Sequence, residues 1–196
     1  MKNFHLSLIA TAAVAAALFA ACYSTTPRER MVARGQYLVT VGGCNDCHTP
    51  LKLGPAGPEP DISRMLSGHP SSFKVTSPPP AGSPQWMMIA AATNTAFAGP
   101  WGVSFTANLT PDTNTGTGIW TEDTFIKTLR TGKHWGTSRD ILPPMPWFNY
   151  REMTDDDLKA VFAYLRSIPP VHNQVPDPIP PAEQVRSSQL RVETEN

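Results

Sequence analysis

Residues 42–49 read GGCNDCHT, two cysteines three positions apart with a histidine directly behind the second. Thiols at i and i+3 reach two vinyl groups of one porphyrin while the next residue turns its ring under the iron, so the spacing fits covalent attachment of c-type haem. Cys44 and Cys47 are then the thioether positions, and His48 is the proximal iron ligand. A redox CxxC has no need of His48, and a zinc site requires a second Cys or His pair at comparable spacing. The other histidines, His5, His69, His134 and His172, stand singly.

Around this motif the 196 residues suffice for one domain with its own core. The chain has 21 prolines and only 16% charged residues, which predicts long irregular stretches between few regular elements. Its formal net charge is zero and it has no basic run, so nucleic acid is excluded as a partner. The first 21 residues hold a lysine, an apolar run and then small residues, the pattern of a cleaved export signal. From Leu6 to Ala21 that run is short for a membrane span and contains Ser7 and Thr11. Cys22 follows LFAA, a stretch that resembles a bacterial lipoprotein signal although Phe19 stands where leucine is commonest. Lipidation of Cys22, or its removal with the signal, accounts for the odd cysteine and leaves no structural disulfide. The expected organisation is a signal over 1–21, a tether over 22–30, a haem domain over 31–172 with an insertion at about 51–101, and a Pro-rich tail over 173–196.

Three segments carry helical periodicity. Met31, Leu38 and Val41 lie near helical spacing ahead of the CxxCH turn, with Gly35 on the same face, and Gly42 with Gly43 ends the run. Thr121 caps a second helix with Glu122 and Asp123 in its first turn; Trp120 and Phe125 form a hydrophobic staple, and Gly132 stops it. Thr154 caps a third, with Asp155 to Asp157 in the first turn, Leu158, Val161, Phe162 and Leu165 on the buried face, and Met153 against Leu158 as the staple. The region from Leu51 to Trp101 is rich in Pro, Gly and Ser and reads as a long loop wrapped on the core. Beyond Val171 the chain lacks periodicity and predicts a loose or disordered arm.

What fills the other side of the iron decides the chemistry: a thioether keeps it six-coordinate for electron transfer, and an open site admits small ligands. Met145 in ILPPMPWFNY sits between prolines, in a rigid extended segment that can hold a flexible side chain against a metal. The competing use is a gap-filling core methionine; Met65, His69 and His134 are rival ligands.

GQYLVTVGGCNDCHT, NLTPD, PPMPW and MTDDDLKAVFAYLRSIPP together resemble the class I monohaem cytochromes c, more narrowly the bacterial cytochrome domains of dehydrogenase electron-acceptor subunits. The resemblance covers most of residues 31–170. It implies an all-α fold around one covalent haem, with Met145 as the distal ligand and terminal helices that cross with Gly35 against Phe162 or Tyr164. It also implies a carbonyl near Gly54 or Pro55 that accepts from His48 and fixes its ring. Asn108 and Trp147 are candidates to hydrogen-bond a propionate, or else a turn cap and a core residue. Function follows as single-electron transfer between redox proteins, such as a dehydrogenase or a respiratory complex, in the periplasm or cell envelope, with membrane attachment through a lipid on Cys22. Lys52, Arg64, Lys127, Arg130, Lys133 and Arg139 are candidates for the docking surface. The rival functions are a haem peroxidase using His134 and a gas sensor with a labile distal ligand.

Overall fold

The computed structural model describes residues 25–75 and 86–181. The signal segment, Cys22 and the tail beyond 181 fall outside the described residues. Five α-helices are described: α1 Pro27–Val41, α2 Cys44–His48, α3 Glu122–Thr131, α4 Trp147–Tyr150 and α5 Asp155–Leu165. The fold is nevertheless mixed, and the all-α expectation is corrected by two antiparallel sheets. In one, β1 Leu51–Gly54 pairs with β2 Gly57–Pro60; in the other, β3 Ile89–Ala90, β4 Ala96–Gly99 and β5 Gly102–Phe105 lie in that order. Both strands of each tight hairpin are joined through Gly-Pro-X-Gly, at 54–57 and at 99–102. Proline presets the first turn torsion, and glycine takes the positive φ that closes each pair, 121° at Gly57 and 91° at Gly102. Within the described part of what reads as one long loop lie the β1–β2 hairpin and the strands β3 and β4.

α1 starts four residues before Met31, inside the expected tether. Thr26 and Glu29 form a reciprocal capping box, with the Glu29 amide 3.1 Å from Thr26 Oγ1 and the Thr26 amide 2.6 Å from Glu29 Oε2, and Pro27 occupies the first turn. α3 and α5 follow their sequence signals: Thr121 Oγ1 accepts from the Thr124 amide at 3.1 Å, Thr154 Oγ1 from the Asp157 amide at 3.2 Å, and Gly132 at φ 66° ends α3.

α1 lies across α5, and the crossing is tight. A Cβ on Gly35 would run into the Ala160 carbonyl and Tyr164 Cβ, so only glycine permits the approach. The crossing buries Val39, Leu158, Val161 and Leu165 and is pinned at its edge by Arg34 and Asp157, 2.9 Å apart. Phe125 of α3 stacks on Phe162 of α5 with ring centroids 5.3 Å apart. Ala96, Ala98 and Val103 form a smaller core within the second sheet.

The described part of the tail is packed rather than loose. Ile179 and Val103 exchange backbone hydrogen bonds of 2.8 and 2.9 Å, and Asn173 is 2% exposed. Its prolines fit an extended strand that pairs with a sheet edge at a single residue.

Candidate haem site

Gly43, at φ 68°, turns the chain from α1 into the one and a half turns of α2 that carry Cys44, Cys47 and His48. The His48 ring is buried, and its Nδ1 lies 2.8 Å from the Ala107 carbonyl oxygen. A carbonyl only accepts, so Nδ1 carries the proton and Nε2 keeps a free lone pair. Burial moves the His48 pKa down, opposed by that hydrogen bond, which favours the neutral imidazole a metal requires. The acceptor is therefore Ala107 and not Gly54 or Pro55, which form the β1–β2 turn with Pro55 exposed. Two residues of sheet-side backbone after β5 bring Ala107 to the ring, a contact 59 positions away in sequence.

Cys44, Cys47 and His48 line a cavity of about 730 Å³, within the usual span of about 300–1,000 Å³ for cofactor sites. Burial pushes the Cys44 thiol up to about 11 and the Cys47 thiol up as well, so both stay protonated near neutrality. Met145 lines the same cavity, held in its proline-rich loop by Ser104 Oγ, which donates to the Pro143 carbonyl at 2.5 Å. Tyr150 of α4 also lines it and donates to the Gly42 carbonyl at 2.5 Å, tying α4 to the turn before Cys44. Neither Ser104 nor Tyr150 stands out in the sequence, because each acts through a backbone carbonyl distant along the chain. Two neighbouring thiols, an imidazole with a free Nε2 and a thioether on one cavity are the donor set that haem c requires.

The rival ligands separate. His69 is fully buried with Nδ1 3.0 Å from Thr95 Oγ1 and Nε2 2.9 Å from the Phe73 carbonyl, so both nitrogens are engaged. Met65 packs on the helical core, whereas His134 lines the cavity beside Trp120 and Trp135.

Asn108 borders the cavity, yet its amide is spent elsewhere. Nδ2 donates to Thr115 Oγ1 at 3.1 Å and to the Val171 carbonyl at 2.8 Å, while Oδ1 accepts from Thr110 Oγ1 at 2.7 Å. Trp147 lies against Gly132 with the Arg151 guanidinium 5.7 Å from its ring, away from the cavity lining. The expected propionate contacts thus have structural work instead. Among the expected docking cations, Lys133 pairs with Asp140 at 2.6 Å, Arg130 with Asp155 at 2.5 Å and Lys52 with Glu59 at 3.7 Å. Arg64 donates to Asn173, and Arg139 borders the cavity.

Crossed terminal helices over a CxxCH turn, with a carbonyl-fixed histidine on a haem-sized cavity, define a c-type haem protein. The family model Cytochrome c matches residues 32–169, and the chain belongs to that family. It is 30% identical over 156 residues to the gluconate 2-dehydrogenase cytochrome c subunit of Pantoea cypripedii, covering 78% of this chain and 27% of that protein. Against the alcohol dehydrogenase (quinone) cytochrome c subunit of Gluconobacter oxydans the identity is 26% over 173 residues, 87% of this chain and 29% of that one. The fructose dehydrogenase cytochrome subunit of Gluconobacter japonicus matches at 26% over 134 residues, 68% of this chain and 20% of that one. The chain therefore spans less than a third of the length of these curated relatives.

Proposed function

We propose that this chain is an exported electron carrier, accepting and passing single electrons as a cytochrome unit that works with a dehydrogenase. Haem c supplies the redox chemistry, cycling between ferric and ferrous iron. The chain's residues divide the remaining tasks. Cys44 and Cys47 form the thioethers, His48 Nε2 and Met145 Sδ ligate the iron, and Ala107 fixes the imidazole tautomer. The observation that carries this reading is the convergence of Cys44, Cys47, His48 and Met145 on one cavity. The dehydrogenase partner rests on the relatives, several of which are cytochrome subunits of dehydrogenases. No substrate site is required, so the chain is a carrier rather than a catalyst. Its station is the cell envelope, a reading supported by the export pattern over 1–21 and by Cys22 as a lipid attachment point.

The test is a pair of spectra recorded after expression in a host that attaches haem in the periplasm. Wild type should carry covalent, low-spin haem with a sulfur-to-iron band and no response to carbon monoxide. Met145→Ala should keep the haem, lose the band and bind carbon monoxide. A high-spin or carbon monoxide-binding wild type would remove Met145 from its role and favour a peroxidase or gas sensor using His134.

A further inference from the structure

The segment that follows the last helix is fastened ahead of residue 174, by Val171 and Asn173, and again at Ile179. Asn173, 2% exposed, donates from Nδ2 to the Ser67 carbonyl at 2.7 Å and the His69 carbonyl at 2.9 Å, and its Oδ1 accepts from the Ser71 amide at 3.0 Å. Its own amide donates to Thr115 Oγ1 at 3.0 Å. The second fastening is the two-way pairing of Ile179 with Val103 on β5. Gly102 permits it, since a Cβ there would strike the Ile179 carbonyl. Between these points all five residues from Gln174 to Pro178 line the haem cavity. Val175, Pro176 and Pro178 are half-buried. The prolines stiffen the span, so little chain entropy is lost in holding it across the opening.

We infer that residues 174–178 are a wall of the haem site, clasped by Asn173, that excludes water and thereby raises the reduction potential. This rests on the haem reading above. The physical basis is charge: with neutral His and Met ligands, ferric haem c carries one more positive charge than ferrous haem c, and water stabilises the more charged form. The half-buried Val175, Pro176 and Pro178 of that wall withdraw the stabilisation and favour uptake of the electron, while Gln174 and Asp177 stay exposed to solvent. Asn173 acts by position alone. Its side-chain amide satisfies the Ser67 and His69 carbonyls and the Ser71 amide and also accepts from the Arg64 guanidinium at 3.2 Å, and alanine would deprive all four of that partner.

The test uses the full-length, haem-loaded chain. Asn173→Ala and Val175→Glu are compared with wild type and with Leu53→Glu, a carboxylate added at an 87% exposed site on the β1 hairpin. The midpoint potential is the readout, with the sulfur-to-iron band confirming that ligation is kept. Both strap variants should titrate at lower potential with the band intact, and Leu53→Glu should match wild type. A wild-type potential in either strap variant, or a drop in Leu53→Glu as large as in Val175→Glu, overturns the inference. A measurement on wild type alone decides the same point if the variants fail to accumulate. The Val175 methyl protons should show haem-shifted resonances in the protein, and unshifted methyls would refute the wall. Absence of covalent haem in wild type would instead sink the parent reading, so the two failures are distinguishable.

Discussion

At the scale of single residues, CNDCH places two thiols and an imidazole on one turn whatever surrounds them, the candidate set for haem attachment. The residues that orient this set were hidden, since they act through backbone atoms whose neighbours are set by tertiary structure. Ala107 has no reactive side chain, and it meets His48 only because β5 delivers its carbonyl to the ring. Ser104 is the analogous case for Met145: its buried hydroxyl donates to the Pro143 carbonyl and so anchors the loop that presents the thioether. Ser104→Ala should cost about 1 kcal/mol of stability, the net worth of one such bond. More diagnostically, the sulfur-to-iron band should fade at a lower temperature than in wild type while the covalent haem stays. The check is a thermal melt followed at that band and, in parallel, by far-ultraviolet circular dichroism. A band and a backbone that melt together as in wild type would show that Ser104 does not hold the methionine loop.

At the scale of elements, the capped helices α3 and α5 were read well, while the short α4, within a segment read as extended, and the strands were missed, for one reason. Thr121 and Thr154 are caps followed by acidic residues and an apolar stripe, a signal contained within each segment. The strands are two to four residues long, too short to show alternation, and their cue lies in the turns GPAG and GPWG. The prolines that suggested an unstructured insertion are therefore the devices that fold it. The start of α1 was missed similarly: Thr26, Pro27 and Glu29 spell a helix N-terminus within a polar stretch that reads as a tether. The crossing of α1 with α5 makes two predictions. Gly35→Ala forces a methyl group into the Ala160 carbonyl and should destabilise the fold by about 1–3 kcal/mol, the range for overpacking, measured by denaturant unfolding. The second concerns Asp157, whose carboxyl is held below the usual range chiefly by its hydrogen bond from Arg34. A depressed folded-state pKa gives stability that is fully present above the unfolded value, about 3.9, and is lost as pH falls through the folded one. The stability gap between wild type and Asp157→Asn should accordingly be constant from pH 7 to about 5 and close as the solution is made more acidic. A gap that widened in acid would assign the pair no part in holding the helices together.

At the scale of the whole molecule, the helical core and the second sheet meet the same cavity from different parts of the chain. α2 brings the thiols and His48, the loop after α3 brings Met145, β5 supports that loop, and the strap beyond α5 runs along the remaining side. A haem held by these residues would take the place where other small domains keep their central side chains, and the protein's own core is in two separate clusters. A cavity of roughly 150 Å³ left by one large-to-small substitution already costs up to about 5 kcal/mol. The space here is about 730 Å³, against a total stability of about 5–15 kcal/mol for an ordinary domain. Water entering the cavity would offset only part of that cost, because its lining includes Phe97, Phe125, Leu129 and Leu142. Folding and haem attachment should then be coupled. The chain made in the cytoplasm without haem should keep some helical circular dichroism but lose its near-ultraviolet signal and bind a hydrophobic dye, as compact states with unfixed packing do. The holoprotein should unfold in one cooperative step with no dye binding beforehand. A haem-free chain that melted as sharply as the holoprotein would mean that the two cores close on each other without the cofactor, and that the cavity is a consequence of haem binding rather than a condition of the fold.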